Sequence, residues 1–141
     1  MSGRLRFLLD TNVISETRKA HPAAGVMDFI RGADSSSLFI SVLTLGELRK
    51  GVEIKRRSEP ETATQLDEWV GGIEHIYMDR VLPVDTAVAL RWGELSADRS
   101  RPVIDTLIAA TALVHGLVLV TRNISDIGGI AIETIDPWTK V

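Results

Sequence analysis

Val103-Ile104-Asp105-Thr106-Leu107-Ile108-Ala109-Ala110-Thr111-Ala112-Leu113-Val114-His115-Gly116-Leu117-Val118-Leu119-Val120 is the most apolar stretch of the chain, and how it divides decides the fold. Its length approaches that of a membrane span, but Asp105, His115 and Gly116 interrupt it. Ile104, Leu107, Ile108 and Thr111 recur at three- and four-residue spacing, which predicts a buried helix. Leu117 to Val120, directly after Gly116, is a short continuous apolar run, which predicts a buried strand.

Outward from this pair, three further runs have strand character, Leu5 to Leu9, Leu38 to Val42 and Val81 to Val84, with Ile130 to Ile135 a weaker one. Helical spacing separates them, in Leu45, Leu48 and Val52 and again in Leu66, Trp69, Val70 and Ile73. Pro22 is expected to open a short helix through Ile30, and Ser58 to Glu61 to connect two helices with Pro60 near the second N-terminus. Ser35, Ser36 and Ser37 read as a turn. Such alternation predicts an α/β fold, a mainly parallel sheet with helices on both faces. No linker, repeat or low-complexity segment divides residues 1–141, so one domain is expected.

Composition narrows the function classes. The 141 residues are 45% hydrophobic and 25% charged, the balance of a compact domain rather than a disordered or rod-like chain. Cysteine is absent, which excludes thiolate catalysis, thiolate-held zinc and disulfides, and fits a reducing, cytoplasmic setting. Sixteen Lys and Arg against 19 Asp and Glu leave a formal charge of -3, so any nucleic-acid binding must use a local patch. Met1 to Arg6 carries two arginines, but the apolar residues that follow are too few for a secretion signal. No membrane association is expected.

In parallel sheets ligands bind beyond the carboxyl ends of the strands, so the residues ending each apolar run matter first. Here they are polar: Asp10, Thr11 and Asn12 after the first run, then Ser41, Thr44 and Glu47, then Thr121, Arg122 and Asn123, with Asp126 close behind. Each acid has a plain structural reading. Asp10, with Asn12, suits a helix cap; Thr44-Leu45-Gly46-Glu47 has capping-box spacing, and taken singly Glu47 is best read that way. Asp126, between Ser125 and Gly128, resembles a loop residue. Asp105 resists such a reading, because Val103, Ile104, Leu107 and Ile108 surround it with apolar sequence one turn into a helix that Pro102 opens.

Carboxylates gathered at one edge repel unless a cation neutralises them, and an oxygen-only set suits Mg2+ or Mn2+. His21, His75 and His115 lack paired spacing, which argues against zinc. Gly46 to Gly51 has the glycine spacing of a phosphate-binding loop, but Val52 and Glu53 stand where Lys and Ser or Thr are required. A phosphatase working through an aspartyl-phosphate needs an acid where Asn12 stands, and no nucleophile elbow or dinucleotide fingerprint is present.

Four ordered segments carry a resemblance: Leu8-Leu9-Asp10-Thr11-Asn12-Val13-Ile14-Ser15, Ser41-Val42-Leu43-Thr44-Leu45-Gly46-Glu47-Leu48, Asp105-Thr106-Leu107-Ile108-Ala109-Ala110 and Thr121-Arg122-Asn123. Together they resemble the motifs of PIN-domain proteins over nearly the whole chain, and most closely the VapC-type toxins, including the FitB-like group. The resemblance implies a three-layer α/β/α sandwich and a Mg2+- or Mn2+-dependent endoribonuclease that hydrolyses phosphodiesters with activated water. Asp10, Glu47 and Asp105 match the three principal acids and Asp126 the more variable fourth, although Ile127 follows it where the family often has Phe. Thr11, Asn12, Thr121 and Asn123 match supporting polar residues. The implied partners are an RNA substrate, a cognate antitoxin protein, a second copy of the chain, and DNA only through the antitoxin.

Two questions stay open in sequence. Arg49, Lys50, Lys55, Arg56 and Arg57 face one acid, Glu53, and this helix can track phosphates, form a solvated face of ion pairs such as Arg49 with Glu53, or dock an antitoxin. The competing function is a non-catalytic binding or regulatory protein acting through a DNA-binding partner. Trp69, Trp92 and Trp138 read equally as core or interface.

Overall fold

Five short strands, β1 (Phe7–Leu9), β2 (Leu38–Ser41), β3 (Val81–Leu82), β4 (Val118–Val120) and β5 (Thr134–Ile135), pair in the order β3-β2-β1-β4-β5. All the pairings are parallel. The computed structural model describes Arg4 to Thr139, so the sequence readings on Met1 to Gly3, Lys140 and Val141 lie outside the described residues. Register places Phe7 between Leu38 and Val118, and Leu8 between Phe39 and Leu119.

Period-two alternation then sorts the strands' side chains onto two faces. Leu9, Leu38, Ile40 and Val120 pack with Val13 and Ile14 of α1 (Thr11–Glu16), Val26 of α2 (Ala24–Gly32), Leu48 and Val52 of α3 (Val42–Ser58), and Val70 and Ile73 of α4 (Pro60–Ile76). Leu8 and Leu119 face the other way, against Ile108, Ala109 and Ala112 of α6 (Val103–His115). The long apolar stretch divides as expected: Gly116, at φ 66°, ends α6 in the left-handed conformation that glycine adopts without Cβ strain, and β4 begins two residues later. The α/β/α layering is thus present. Leu8, Leu9, Ile40 and Ile108 are fully buried, each worth roughly 1.5–3 kcal/mol of transfer free energy.

Several local expectations are corrected. Pro22 does not open α2, which starts at Ala24 with Ala23 as cap and runs past Ile30 to Gly32. The chain there is fixed by Glu16, whose carboxylate accepts the Ala23 N–H at 2.9 Å. The capping box at Thr44 and Glu47 does not form, because α3 starts immediately after β2 and Ser41 is its cap, accepting the Leu43 N–H at 3.0 Å. Thr44 is therefore inside the helix. Pro102 is the residue before α6 rather than its first, leaving Asp105 in the first turn. The third strand stops at Leu82, before Pro83, which has no N–H for a ladder; the fifth keeps only Thr134 and Ile135 of its expected span. Leu5 lies outside β1 and is exposed. Helix α5 (Thr86–Leu95), capped by the Asp85 side chain on the Val88 N–H, has no counterpart in the sequence reading. Pro60 does begin α4, and Ser35–Ser37 form a single 3-10 turn. Among the described residues no helix is long and apolar enough to cross a membrane.

Candidate active site

Strand order reverses at β1, whose neighbours β2 and β4 lead to helices on opposite faces, and this opens a crevice at the carboxyl edge of the sheet. Asp10 stands at its centre. Its backbone N–H donates to the Val120 carbonyl at 2.9 Å, extending the ladder by one residue and fixing where its side chain emerges. The carboxylate is buried and held on both oxygens: Oδ1 accepts the Thr11 N–H at 2.7 Å, and Oδ2 accepts the Thr121 hydroxyl at 2.8 Å. The cap reading of Asp10 is thus correct as far as it goes.

Charge separates this aspartate from an ordinary cap. Burial pushes its carboxyl above the usual range; the bonds from Thr121 and Thr11 oppose the shift, and the nearby Glu47 and Asp126 carboxylates add to it. Asp105, presented by the first turn of α6, is pushed up to about 6. Desolvation is the main cause, followed by the negative charges of Asp10, Asp126 and Glu47 and a hydrogen bond with Asp126 that favours the protonated form. Asp126 itself sits in a 3-10 turn, Ile124–Ile127, that packs on α6 through Ile127. All four acids singled out in the sequence therefore feel one another across the crevice.

Glu47 reaches the site from the second turn of α3, where the Thr11 hydroxyl donates to Oε1 at 2.6 Å. Behind it lies the fully buried Thr44 hydroxyl, 2.9 Å from that of Thr11. A polar residue in an apolar helix face was the sequence signal for Thr44, but its capping-box spacing concealed this use. Asn12 donates weakly, at 3.4 Å, to both Asp10 and Thr121, and its own carbonyl oxygen is buried without a partner. Turning the amide over would set its carbonyl against the Asp10 carboxylate, so the unpartnered oxygen is not removed by a flip. Asn123 takes part through its backbone N–H, which donates to the Thr121 hydroxyl at 3.0 Å.

The donor set fits a hard divalent cation: clustered carboxylates, threonine hydroxyls and one orphaned amide oxygen, with no nitrogen or sulfur ligand. Among the described residues no three acids or imidazoles are drawn tightly enough to enclose a metal by themselves. That openness matches Mg2+, which keeps several waters and needs few protein ligands.

The basic residues of α3 behave differently. Arg49 pairs with Asp67 at 2.8 Å and Glu74 at 3.9 Å, both on α4, and Arg56 pairs with Glu53 at 3.2 Å and Asp67 at 3.6 Å. Lys55 pairs with Glu59. The expected pair of Arg49 with Glu53 does not form: Glu53 takes Arg56, and Arg49 turns to α4, which lies alongside and supplies acids that the helix's own spacing did not reveal. Lys50 and Arg57 form no ion pair among the described residues and extend from the exposed face. Sequence reasoning also missed Arg101, whose side chain is only 4% exposed. Its guanidinium joins Asp98, the Leu95 carbonyl and, at 3.2 Å, the Gly128 carbonyl, clamping the approach to α6 onto the loop after Asp126.

A doubly wound parallel sheet with acids gathered at its switch point is the arrangement of a PIN domain. This chain belongs to the PIN domain family, whose family model matches residues 7–125. It is 35% identical to a VapC ribonuclease, Y4jK, of Sinorhizobium fredii, over 93% of this chain and 96% of that one. It is 27% identical to Toxin FitB of Neisseria gonorrhoeae, over 93% and 97%. The solved structure of FitAB bound to an IR36 DNA fragment superposes with a TM-score of 0.85 at 26% identity, covering 96% of this chain and 97% of that one.

Proposed function

We propose that this chain is a divalent-metal-dependent endoribonuclease, the toxin of a toxin–antitoxin pair. The observation that carries the reading is the convergence of Asp10, Glu47, Asp105 and Asp126: burial first, and then the negative charge of the neighbouring acids, raises the Asp10 and Asp105 carboxyls, and none of the four acids forms an ion pair among the described residues. Uncompensated charge of this kind is costly to a fold and is accounted for by a ligand cation, Mg2+ or Mn2+. Kinship with a ribonuclease and a toxin supports RNA as substrate and an antitoxin as protein partner, and the likeness to a DNA-bound assembly supports DNA contact through that partner; pairing of the toxin with a second copy of itself is part of the same proposal.

Asp10, Glu47, Asp105 and Asp126 would hold the cation, which when bound supplies water activation and charge stabilisation for phosphodiester hydrolysis. The rest of the task falls to the protein. Thr121 and the Thr11 N–H fix the Asp10 carboxylate, and the Thr11 hydroxyl fixes Glu47, so two acids from different elements share one orienting residue. Because the Asp105 carboxyl is pushed up to about 6, metal binding would displace its proton at lower pH, which couples occupancy to pH. The buried Asn12 carbonyl oxygen, unpartnered beside Asp10 and Thr121, would be a further hard acceptor for a water or cation.

Incubating the purified chain with single-stranded RNA tests this. Cleavage in Mg2+ or Mn2+ and none in EDTA is expected; undiminished cleavage in EDTA overturns the reading. Metal binding with no cleavage would favour a non-catalytic binding protein.

A further inference from the structure

Next to the acids the surface opens into a groove of about 330 Å³, lined by Thr11, Arg18, Glu47, Gly51, Leu66 and Trp69. Two of these, Thr11 and Glu47, belong to the candidate site, so the groove begins where the acids end. Its far wall is Trp69 with Leu66, on α4, both half-buried and packed in part against the core. Its floor passes over Gly51, where an added Cβ would meet nothing within 4 Å; the absent side chain leaves real space. On the α1 side stand Arg18 and Lys19, which also line it. Lys19 is engaged by Glu16 at 2.9 Å, whereas the Arg18 side chain has no ion pair or hydrogen bond among the described residues.

We propose that this groove is a nucleotide subsite: one base of single-stranded RNA lies over Gly51 against Trp69, and the adjoining phosphate meets Arg18. The inference rests on the ribonuclease reading and adds which part of the protein grips the substrate beside the scissile bond. An aromatic plane with a neighbouring free cation is what single strands require, because every base presents a π-face and every residue a phosphate. The cations that first suggest themselves, Arg49 and Arg56, are already neutralised by Asp67, and the unpaired Lys50 and Arg57 do not line the groove, so Arg18 is its free charge among the described residues.

The experiment pairs a filled groove with a missing base. Gly51→Leu projects into open space from a helix interior where leucine is the better helix former, so the fold is retained. Binding of a short single-stranded RNA is measured in EDTA, with one abasic residue placed at each position in turn, for wild type and variant. One position is expected to weaken wild-type binding about tenfold. Gly51→Leu should bind intact RNA about tenfold more weakly and become indifferent to the abasic residue at that position, the non-additivity that marks direct contact. Arg18→Gln should reduce the salt slope by about one. A flat abasic profile in wild type, or a Gly51→Leu profile like that of wild type, overturns the subsite, and is the result expected of a groove reserved for a protein partner. Cleavage of RNA by the wild type in Mg2+, run alongside, separates the two levels: retained with a flat profile, only the subsite fails; absent, the ribonuclease reading fails with it.

Discussion

The carboxyl edge of the sheet and the α3–α4 surface both gather charged groups, but arrange them in opposite ways. On α3 and α4, Arg49, Arg56 and Lys55 each find an acid within 4 Å, and the Asp67 and Glu59 carboxyls are held below their usual range by Arg49 and Lys55 respectively. At the crevice, Asp10 and Asp105 have only hydrogen-bond donors and other acids, and both are pushed up. Charge that is locally neutralised serves the fold; charge left unneutralised in a desolvated crevice marks where a ligand must complete the structure. The basic helix, the more conspicuous feature in sequence, is thus the less reactive of the two.

Asp105→Asn should separate the two regions most sharply. Cleavage should fall below about a hundredth of wild type, while the metal-free variant melts a few degrees higher because one member of a repelling cluster is gone. The same shift fixes a sign for pH. Since the folded carboxyl titrates near 6 and an unfolded one near 3.8, the folded state binds more protons between these values. Metal-free wild type should therefore lose stability as pH rises from about 4 to about 6, and saturating Mg2+ should flatten that slope. Thermal melts with and without metal check both statements; a slope of the opposite sign would place Asp105 beside an unseen cation.

A smaller effect is expected of Thr121→Val, which removes the hydroxyl donor from buried Asp10 at nearly constant volume. Mn2+ affinity should weaken by roughly 10- to 100-fold, the usual cost of losing a ligand's orienting partner. Titration of Mn2+ measures it, and an unchanged affinity would make Thr121 a packing residue. At the other extreme, Asp67→Asn should leave the melting temperature nearly unchanged, since its pairs are more than a third exposed and screened by solvent. Cleavage should be untouched; a large loss of activity would break the contrast between the regions.

The sequence made the α/β/α layering and the four acids legible for different reasons. Apolar runs and helical spacing are local signals, and those around Leu8, Ile40, Ile108 and Leu119 suffice for two covered faces. The acids stood out through position, each just beyond a strand or near a helix start. What escaped was non-local. Ser41 rather than Thr44 caps α3 because β2 passes into it without a loop. Arg49 pairs with α4, a partner that no spacing along its own helix discloses. Helix α5 is short, with only Val88 buried on it and Leu90 exposed, and its cap Asp85 directly follows the strand run that ends at Val84. A buried arginine such as Arg101 looks like any surface arginine until Gly128 is brought to it.

The hydrogen bond from Thr121 to Asp10 joins residues 111 positions apart, and β1 lies between β2 and β4, the latter near the end of the chain. One edge of β1 stays unpaired until β4 has been made, because its neighbour on that side lies far along the chain. Until β4 arrives, Asp10 has neither the hydroxyl that orients it nor the backbone carbonyl of Val120 that anchors it. A nascent chain on the ribosome, surrounded by RNA, therefore carries the acids of the site without their arrangement. Sheet topology alone withholds the arrangement of the acids around Asp10 until β4 has been made.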